Sequence, residues 1–184
     1  MNIALYSRAE ASHGAEELNR LFEALAQHSF AVQLNAGFAE RVHQLTGRTF
    51  TASQCYRLPE EIADDTSMLI SYGGDGTFLE AVQLLDLRPI PIIGINSGRL
   101  GFLANIPLDG LETALSEIRQ GKFEVEERTM LAVEGSFIDP KGYPYAFNEV
   151  TVQRHNTSMI AVEVLVDGEL VATCYGDGML ISTP

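Results

Sequence analysis

A single stretch of sequence decides the fold. Residues 67–82 read Ser-Met-Leu-Ile-Ser-Tyr-Gly-Gly-Asp-Gly-Thr-Phe-Leu-Glu-Ala-Val, an apolar run that breaks into Gly-Gly-Asp-Gly-Thr and resumes with helical spacing. This pattern predicts a strand, a tight turn and the start of a helix. Glycines let a backbone approach a ligand closely, and the first N–H groups of a helix have no partner within it. The turn is therefore suited to a phosphate.

Asp75 is the unexpected member of this turn. A carboxylate among groups that hold an anion is unfavourable unless a metal ion stands between the charges or the carboxylate removes a proton during a reaction. The stretch thus indicates phosphoryl transfer as well as phosphate binding. A second interpretation stays open, because Gly-Gly and Asp-Gly are common turn sequences and Asp is a good helix N-cap. The sequence has no P-loop motif, Gly-x-x-x-x-Gly-Lys-Ser/Thr. The dinucleotide fingerprint is also incomplete, because Leu79 stands where its third glycine is required.

Composition narrows the class of protein. With 184 residues, the chain can bury one core, or one domain and part of a second. Its net charge of -13 opposes a general attraction to nucleic acid or anionic membranes, so an anionic ligand needs a local cradle and a divalent cation. Cys55 and Cys174 lack a zinc-binding pattern, and we expect His13, His28 and His43 to be surface or hydrogen-bonded histidines. We therefore expect a cytoplasmic protein without a membrane span, a nucleic-acid partner or a protein-held metal.

Apolar periodicity predicts alternating strands and helices up to residue 121. The predicted strands are 2–7, 30–34, 67–72 and 90–95, and the predicted helices are 14–27, 36–45, 77–85 and 108–120. Residues 46–59 have no clear period and are predicted to be a loop. Such alternation is typical of an α/β domain with a doubly wound parallel sheet. A second glycine loop, residues 94–103, follows a strand directly, and ligands in such sheets bind beyond the carboxyl ends of the strands. We expect both glycine loops to share one site.

The pattern changes after Lys122. Residues 123–134, 145–154, 159–166 and 170–175 resemble strands, and Asp167-Gly168 is a hairpin signal. We therefore predict an α/β nucleotide-binding domain over residues 1–121, followed by a partial β-rich, antiparallel, substrate-binding domain over residues 122–184. The sequence stops within an apolar run, so we expect an incomplete β-domain whose open edges pair with another copy.

Five blocks of residues resemble, in order, the family of ATP- or polyphosphate-dependent NAD kinases. They are Gly-Gly-Asp-Gly-Thr (73–77), Gly-Ile-Asn-Ser-Gly-Arg-Leu-Gly-Phe-Leu (94–103), Arg-Thr-Met-Leu (128–131), Asn-Glu-Val (148–150) and Asp-Gly-Met-Leu-Ile-Ser-Thr-Pro (177–184). The first block is shared with diacylglycerol and sphingosine kinases and, nearly, with phosphofructokinases. The Asn-Glu and Ser-Thr-Pro blocks make the resemblance specific.

The resemblance implies transfer of a phosphoryl group from ATP or polyphosphate to the 2'-hydroxyl of the adenosine ribose of NAD, giving NADP, with Mg²⁺ neutralising charge. Asp75 would be the general base, since a carboxylate can accept the proton of a ribose hydroxyl. The remaining implied contacts, to phosphate or dinucleotide, are Gly74, Gly76, Thr77, Phe102, Asn148, Glu149 and Asp177. Without the resemblance, Asn148 and Glu149 are equally typical of a turn, Asp177 is more typical of an Asp-Gly turn, and Phe102 is more typical of a core residue. Arg99 is the basic residue expected nearest the nucleotide.

Two other functions stay open: a lipid or sugar kinase of the same superfamily, and a non-catalytic nucleotide-binding module in which Asp75 only caps a helix. The acidic charge disfavours a lipid substrate. The resemblance also implies a homo-oligomer, a dimer or a tetramer. Family members continue beyond the Ser-Thr-Pro block with further substrate contacts. We therefore expect this 184-residue chain to be weakly active or inactive by itself.

Overall fold

The computed structural model describes residues 1–98, 101–136 and 142–183. Its internal contacts divide the chain into two units, Met1–Val125 and Glu126–Pro184, and each unit is described by itself. This division falls four residues after the boundary predicted from the sequence. The functions assigned to the two predicted domains stay predictions.

A six-stranded parallel sheet forms the centre of the first unit. Its strands are β1 (Asn2–Tyr6), β2 (Ala31–Asn35), β3 (Cys55–Tyr56), β4 (Thr66–Tyr72), β5 (Ile92–Asn96) and β6 (Ile106–Pro107), in the order β3-β2-β1-β4-β5-β6. The chain winds outward from β1 to β3, then crosses to the other side of β1 and winds outward again from β4 to β6. The predicted doubly wound sheet is confirmed. The strand order reverses between β1 and β4, which is where ligands bind in such sheets.

Four helices cover the two faces of this sheet: α1 (Ala15–Gln27), α2 (Ala36–Thr46), α3 (Asp75–Leu85) and α4 (Leu111–Arg119). Apolar residues of α1, α2 and α4 share one core with alternate residues of β1 and β4, such as Ile3 and Ile70. The intervening residues, Ala4 and Leu69, face a second core that contains Ala81 and Leu85 of α3. Both faces are covered, so these strands are apolar at successive positions, as expected of a parallel sheet.

Two short edge strands were not predicted. Strand β3 lies within the segment predicted to be a loop, and β6 lies between the second glycine loop and α4. Each has two residues, too few for a period to be seen. The buried side chain of Tyr56 explains why β3 is held at the edge, because its hydroxyl donates to the Leu5 carbonyl at 3.1 Å. Helix α4 begins at Leu111 rather than at residue 108, because a 3-10 turn, Leu108–Gly110, precedes it.

The second unit consists of antiparallel strand pairs. Strand β7 (Leu131–Ala132) pairs with β8 (Tyr145–Ala146), β9 (Glu149–Gln153) with β12 (Gly178–Ser182), and β10 (Ile160–Val166) with β11 (Glu169–Gly176). The antiparallel prediction is confirmed. Asp167 and Gly168 join β10 to β11 with positive φ angles of 52° and 85°, as in a tight hairpin turn. The prediction of a strand over 123–134 is wrong except at β7. Residues 122–126 alternate in polarity, but no described strand pairs with residues 122–130.

No helix in the described parts of the chain is both long and apolar enough to cross a bilayer.

Candidate functional site

A cleft of about 920 Å³ opens at the carboxyl ends of the parallel strands. It lies at the reversal of strand order between β1 and β4. Its walls come from the segments that follow four of the strands, and the lining residues are 6–13, Asn35, Gly73, Gly74, Thr77, Glu80 and 96–98. Both glycine loops therefore line one cleft. A second hollow of about 810 Å³, beside α2 and β3, contains none of the motif residues.

The first glycine loop joins β4 to α3 in two residues. Gly73 has a φ of 156°, and a Cβ there would lie 2.8 Å from the Cβ of Thr77, so a larger residue would displace the first turn of the helix. Gly74 is the N-cap of α3 and provides no side-chain acceptor. The first N–H groups of α3 are therefore left without a side-chain cap at the cleft.

Asp75 links the two glycine loops. Its carboxylate accepts three backbone N–H groups of the second loop: Phe102 on Oδ2 at 2.9 Å, and Leu103 and Ala104 on Oδ1 at 3.0 Å each. The hydrogen bond from Ala104, aided by those from Phe102 and Leu103, lowers the pKa of Asp75 below its ordinary value, although desolvation opposes the shift. A Cβ on Gly101 would overlap Asp75 Oδ1, so the approach requires glycine.

These contacts leave Asp75 ionised and partly available. A carboxylate has about four acceptor positions, and the described residues use three of them, with Oδ2 carrying a single N–H group. Among the described residues, Oδ2 thus retains room for one further donor. The interpretation of Asp75 as a helix cap is wrong for this structure, because Gly74 is the N-cap and the carboxylate binds the other loop. Sequence spacing placed the two loops at one edge of the sheet but did not reveal this link.

The second glycine loop is held by Asn96, whose side chain is buried. Its Nδ2 donates to the Ala104 carbonyl at 3.1 Å, and its Oδ1 accepts from the Gly98 N–H at 2.7 Å. The side chain of Phe102 is 98% exposed. The alternative that Phe102 is a core residue is therefore wrong. Arg99 lies outside the described residues, so the expectation placed on it is untested.

Three residues of the cleft were missed in the sequence. Arg8 Nη2 and Glu80 Oε1 form an ion pair at 2.6 Å, and the Tyr6 hydroxyl donates to Glu80 Oε2 at 2.8 Å. The hydrogen bond from Arg8 lowers the pKa of Glu80, and the hydrogen bond to Glu80 raises the pKa of Arg8. Burial raises the pKa of the Tyr6 hydroxyl, and its hydrogen bond to Glu80 raises the pKa further. The available signal was that Tyr6 and Arg8 lie at the carboxyl end of the first strand.

His13 is buried at the cleft wall. Its Nε2 lies 2.7 Å from Ser7 Oγ, its ring packs against Tyr72, and burial lowers its pKa. His28 pairs with Glu112, and His43 bonds the Arg48 carbonyl. The prediction that these histidines are at the surface or hydrogen-bonded is confirmed.

The second unit places its predicted residues at opposite ends of the β9–β12 pair. Asn148 and Glu149 lie exposed at the start of β9, where the Asn148 carbonyl accepts from the Thr183 N–H at 2.9 Å. Asp177 precedes β12 at the other end. Its Oδ1 pairs with Arg154 Nε at 3.2 Å, and its carbonyl accepts the Arg154 N–H at 2.9 Å. This pairing of Asp177 with Arg154 was not foreseen.

A protein-held metal site is not formed by the described residues, in which no three His, Cys, Asp or Glu side chains are grouped to hold an ion.

Similarity to known proteins agrees with this geometry. The family model of the ATP-NAD kinase N-terminal domain matches residues 6–123. The NAD kinase of Flavobacterium psychrophilum is 35% identical over all of this chain and 63% of its own length. That of Azotobacter vinelandii is 34% identical over all of this chain and 60% of its own length.

A solved structure shares the fold. The crystal structure of yeast NADH kinase complexed with NADH superposes with a TM-score of 0.80 at 19% identity, over all of this chain and 57% of that one. The chain thus spans less than two thirds of the length of each of these relatives. The match of the N-terminal family model to more than half of the chain shows that it belongs to the NAD kinase family.

Proposed function

We propose that this chain carries the phosphoryl-transfer site of an NAD kinase, which moves the terminal phosphoryl group of ATP to the 2'-hydroxyl of the adenosine ribose of NAD and yields NADP. The proposal depends mainly on the position and hydrogen bonding of the Asp75 carboxylate. This ionised carboxylate stands where two glycine loops meet, and the described residues occupy only one acceptor position of Oδ2. The names of the relatives supply the substrates, and the cleft supplies a place for phosphates.

Asp75 acts as the general base in this reaction. The ribose hydroxyl donates to Oδ2, a bond forms between its oxygen and the γ-phosphorus, the bond from that phosphorus to ADP breaks, and the hydroxyl proton passes to the carboxylate. Three N–H bonds fix the carboxylate but also weaken it as a base, because they lower its pKa. A shift of the second loop that released one of these bonds would raise that pKa and strengthen the base.

The donor phosphates bind at the first turn of α3. The N–H groups that begin this helix have no side-chain cap, and Gly74 and Thr77 line the cleft. Polyphosphate has the same chemistry and fits as an alternative donor. Mg²⁺ arrives with the phosphates, since the ion keeps several waters and binds through substrate oxygens rather than an all-protein cage. It offsets the negative charge that the donor brings to an acidic chain.

Each unit, taken by itself, has predicted residues whose side chains suit parts of a dinucleotide. The side chains of Asn148 and Glu149 are exposed, and an amide and a carboxylate suit a base edge and ribose hydroxyls. Oδ1 of Asp177 forms an ion pair with Arg154. We therefore assign the other oxygen, Oδ2, to the hydrogen bond from the nicotinamide carboxamide. Phe102, fully exposed beside Asp75, packs against the ligand. The enzyme is a cytoplasmic homo-oligomer, a dimer or a tetramer.

The test is NADP formation from NAD and Mg-ATP. Three proteins are compared: this chain, a chimera that joins it to the remaining length of the Flavobacterium psychrophilum relative, and the chimera carrying Asp75→Asn. We expect little turnover by the chain alone, clear turnover by the chimera, and loss of turnover in the variant. A folded chimera that binds NAD and Mg-ATP but forms no NADP would contradict the proposal. Phosphorylation of diacylglycerol instead would favour the lipid kinase.

A further inference from the structure

Arg8 occupies an informative position in the cleft. It follows β1, at the reversal of strand order, and its guanidinium lies against the first turn of α3. A Cβ added to Gly76 would be 3.0 Å from Arg8 Nη2 and 3.3 Å from Nη1, so glycine at this position lets the guanidinium approach the helix backbone closely. A cation and uncapped helix N–H groups therefore stand side by side.

The charges in the cleft make this cation important. Among the described lining residues, Arg8 is the one Arg or Lys, whereas Glu10 and Glu80 are acidic. Among these described residues, a triphosphate in the cleft therefore meets two carboxylates and one protein cation. Attraction between unit charges a few ångströms apart is several-fold stronger near a protein surface than in bulk water, so this cation weighs heavily in donor affinity.

The ion pair with Glu80 holds Arg8 in place and leaves other N–H donors of its guanidinium for a ligand. The two side chains are 43% and 41% exposed, and ion pairs this exposed contribute little to stability, because water screens their charges. The guanidinium has five N–H donors, and the fork that binds carboxylates also binds phosphates. Glu80 is fixed on its other oxygen by the Tyr6 hydroxyl. The phosphate can therefore share or take over the guanidinium at small cost.

We propose that Arg8 binds the phosphates of the donor, and that Glu80, fixed by Tyr6, positions Arg8 and restrains donor affinity. This inference rests on the proposed function of the cleft and adds a ligand that the glycine loops do not provide. Glu80 is a positioning residue, since it acts through Arg8. Its charge also repels the incoming phosphates.

The two partners of the ion pair should change donor binding in opposite directions. Isothermal titration calorimetry with Mg-ATP and with tripolyphosphate measures the effect on this chain. Arg8→Gln should weaken both by about 10- to 100-fold, the range expected for losing hydrogen bonds to a charged group. Glu80→Gln keeps an oxygen for Arg8 and Tyr6 but removes the charge, so both probes should bind several-fold more tightly. A merely structural ion pair would not give opposite signs.

Matched variants separate the possible outcomes. Arg20 forms an ion pair with Asp109 away from the cleft, so Arg20→Gln should leave both affinities unchanged. Arg8→Lys keeps the charge, so its affinity for both probes should fall between those of wild type and Arg8→Gln. If Arg8→Gln does not fold, a weaker affinity of Arg8→Lys than of wild type still tests the role of Arg8. Wild-type binding with an unchanged Arg8→Gln affinity would overturn the role of Arg8 alone. A folded wild type that binds neither probe would overturn the donor site itself, and this role with it.

Discussion

The two units of this molecule differ in how their strands are covered. Leu69 on β4 of the first unit is completely buried, because helices pack on both faces of the parallel sheet. On β11 of the second unit, Leu170 is 60% exposed and Tyr175 is 73% exposed. The second unit nevertheless keeps its antiparallel pairings, with one register shift between Val164 and Leu165. Strand pairing therefore does not need a covering layer, whereas a buried core does. The cleft and the two glycine loops that Asp75 links belong to the covered unit.

The largest difference between the two units is expected when one aspartate in each is replaced in an active enzyme, such as the chimera described above. Asp75→Asn in the first unit should lower kcat by about 10²- to 10⁴-fold, the usual loss when a general base is removed. Asp177→Asn in the second unit should mainly raise the KM for NAD. Steady-state NADP formation measures both, with the exposed Asp64→Asn as the control. Equal losses of kcat in both variants would show that chemistry is not confined to the first unit.

A second test removes equivalent side chains from the two units. Leu69→Ala should lower the free energy of unfolding by about 2–5 kcal/mol, because it leaves a cavity in a packed core. Leu170→Ala removes an exposed side chain, so the change should stay within about 0.5 kcal/mol. Urea unfolding of this chain measures both. A large loss for Leu170→Ala would mean that this face of β11 is covered in solution.

A third test concerns the link between the glycine loops. Gly101→Ala places a Cβ where Asp75 Oδ1 lies, so the N–H bonds to the carboxylate should be lost at a cost of about 1–3 kcal/mol. Gly98→Ala is the matched control, since a Cβ there meets nothing within 4 Å. Thermal unfolding compares the stabilities of the two variants. Similar stabilities would mean that the second loop is not held by Asp75.

The smallest expected effect is the pH dependence of the same link. The pKa of Asp75 is lowered in the folded state, so its stabilising contribution is present above the unfolded value of about 3.9 and is lost as pH falls through the folded value. The stability difference between wild type and Asp75→Asn should thus be constant above about pH 5 and should shrink below pH 4. Urea unfolding between pH 3 and pH 7 measures it. A difference that grows on acidification would contradict the lowered pKa.

The sequence by itself determined most of the helices and strands, and it placed both glycine loops at the carboxyl edge of the sheet. Alternation of strands with helices specified the doubly wound sheet, since each period reports which face of an element is buried. The turn after β4 and the loop after β5 had to meet at the carboxyl edge, because parallel strands end there together. Asp75 was recognisable as a chemical anomaly within its turn. These inferences depend on neighbours in sequence, which is why they needed no tertiary structure.

Only the tertiary structure decided the side-chain partners. The carboxylate of Asp75 binds N–H groups that follow 27 to 29 residues later, and Arg8 reaches Glu80 on a different element. Strand β3 exists because Tyr56 is buried against β1, not because two residues show a pattern. Strand order sets such contacts by placing β1 beside β4, and periodicity reports the buried face of an element but not which element covers it.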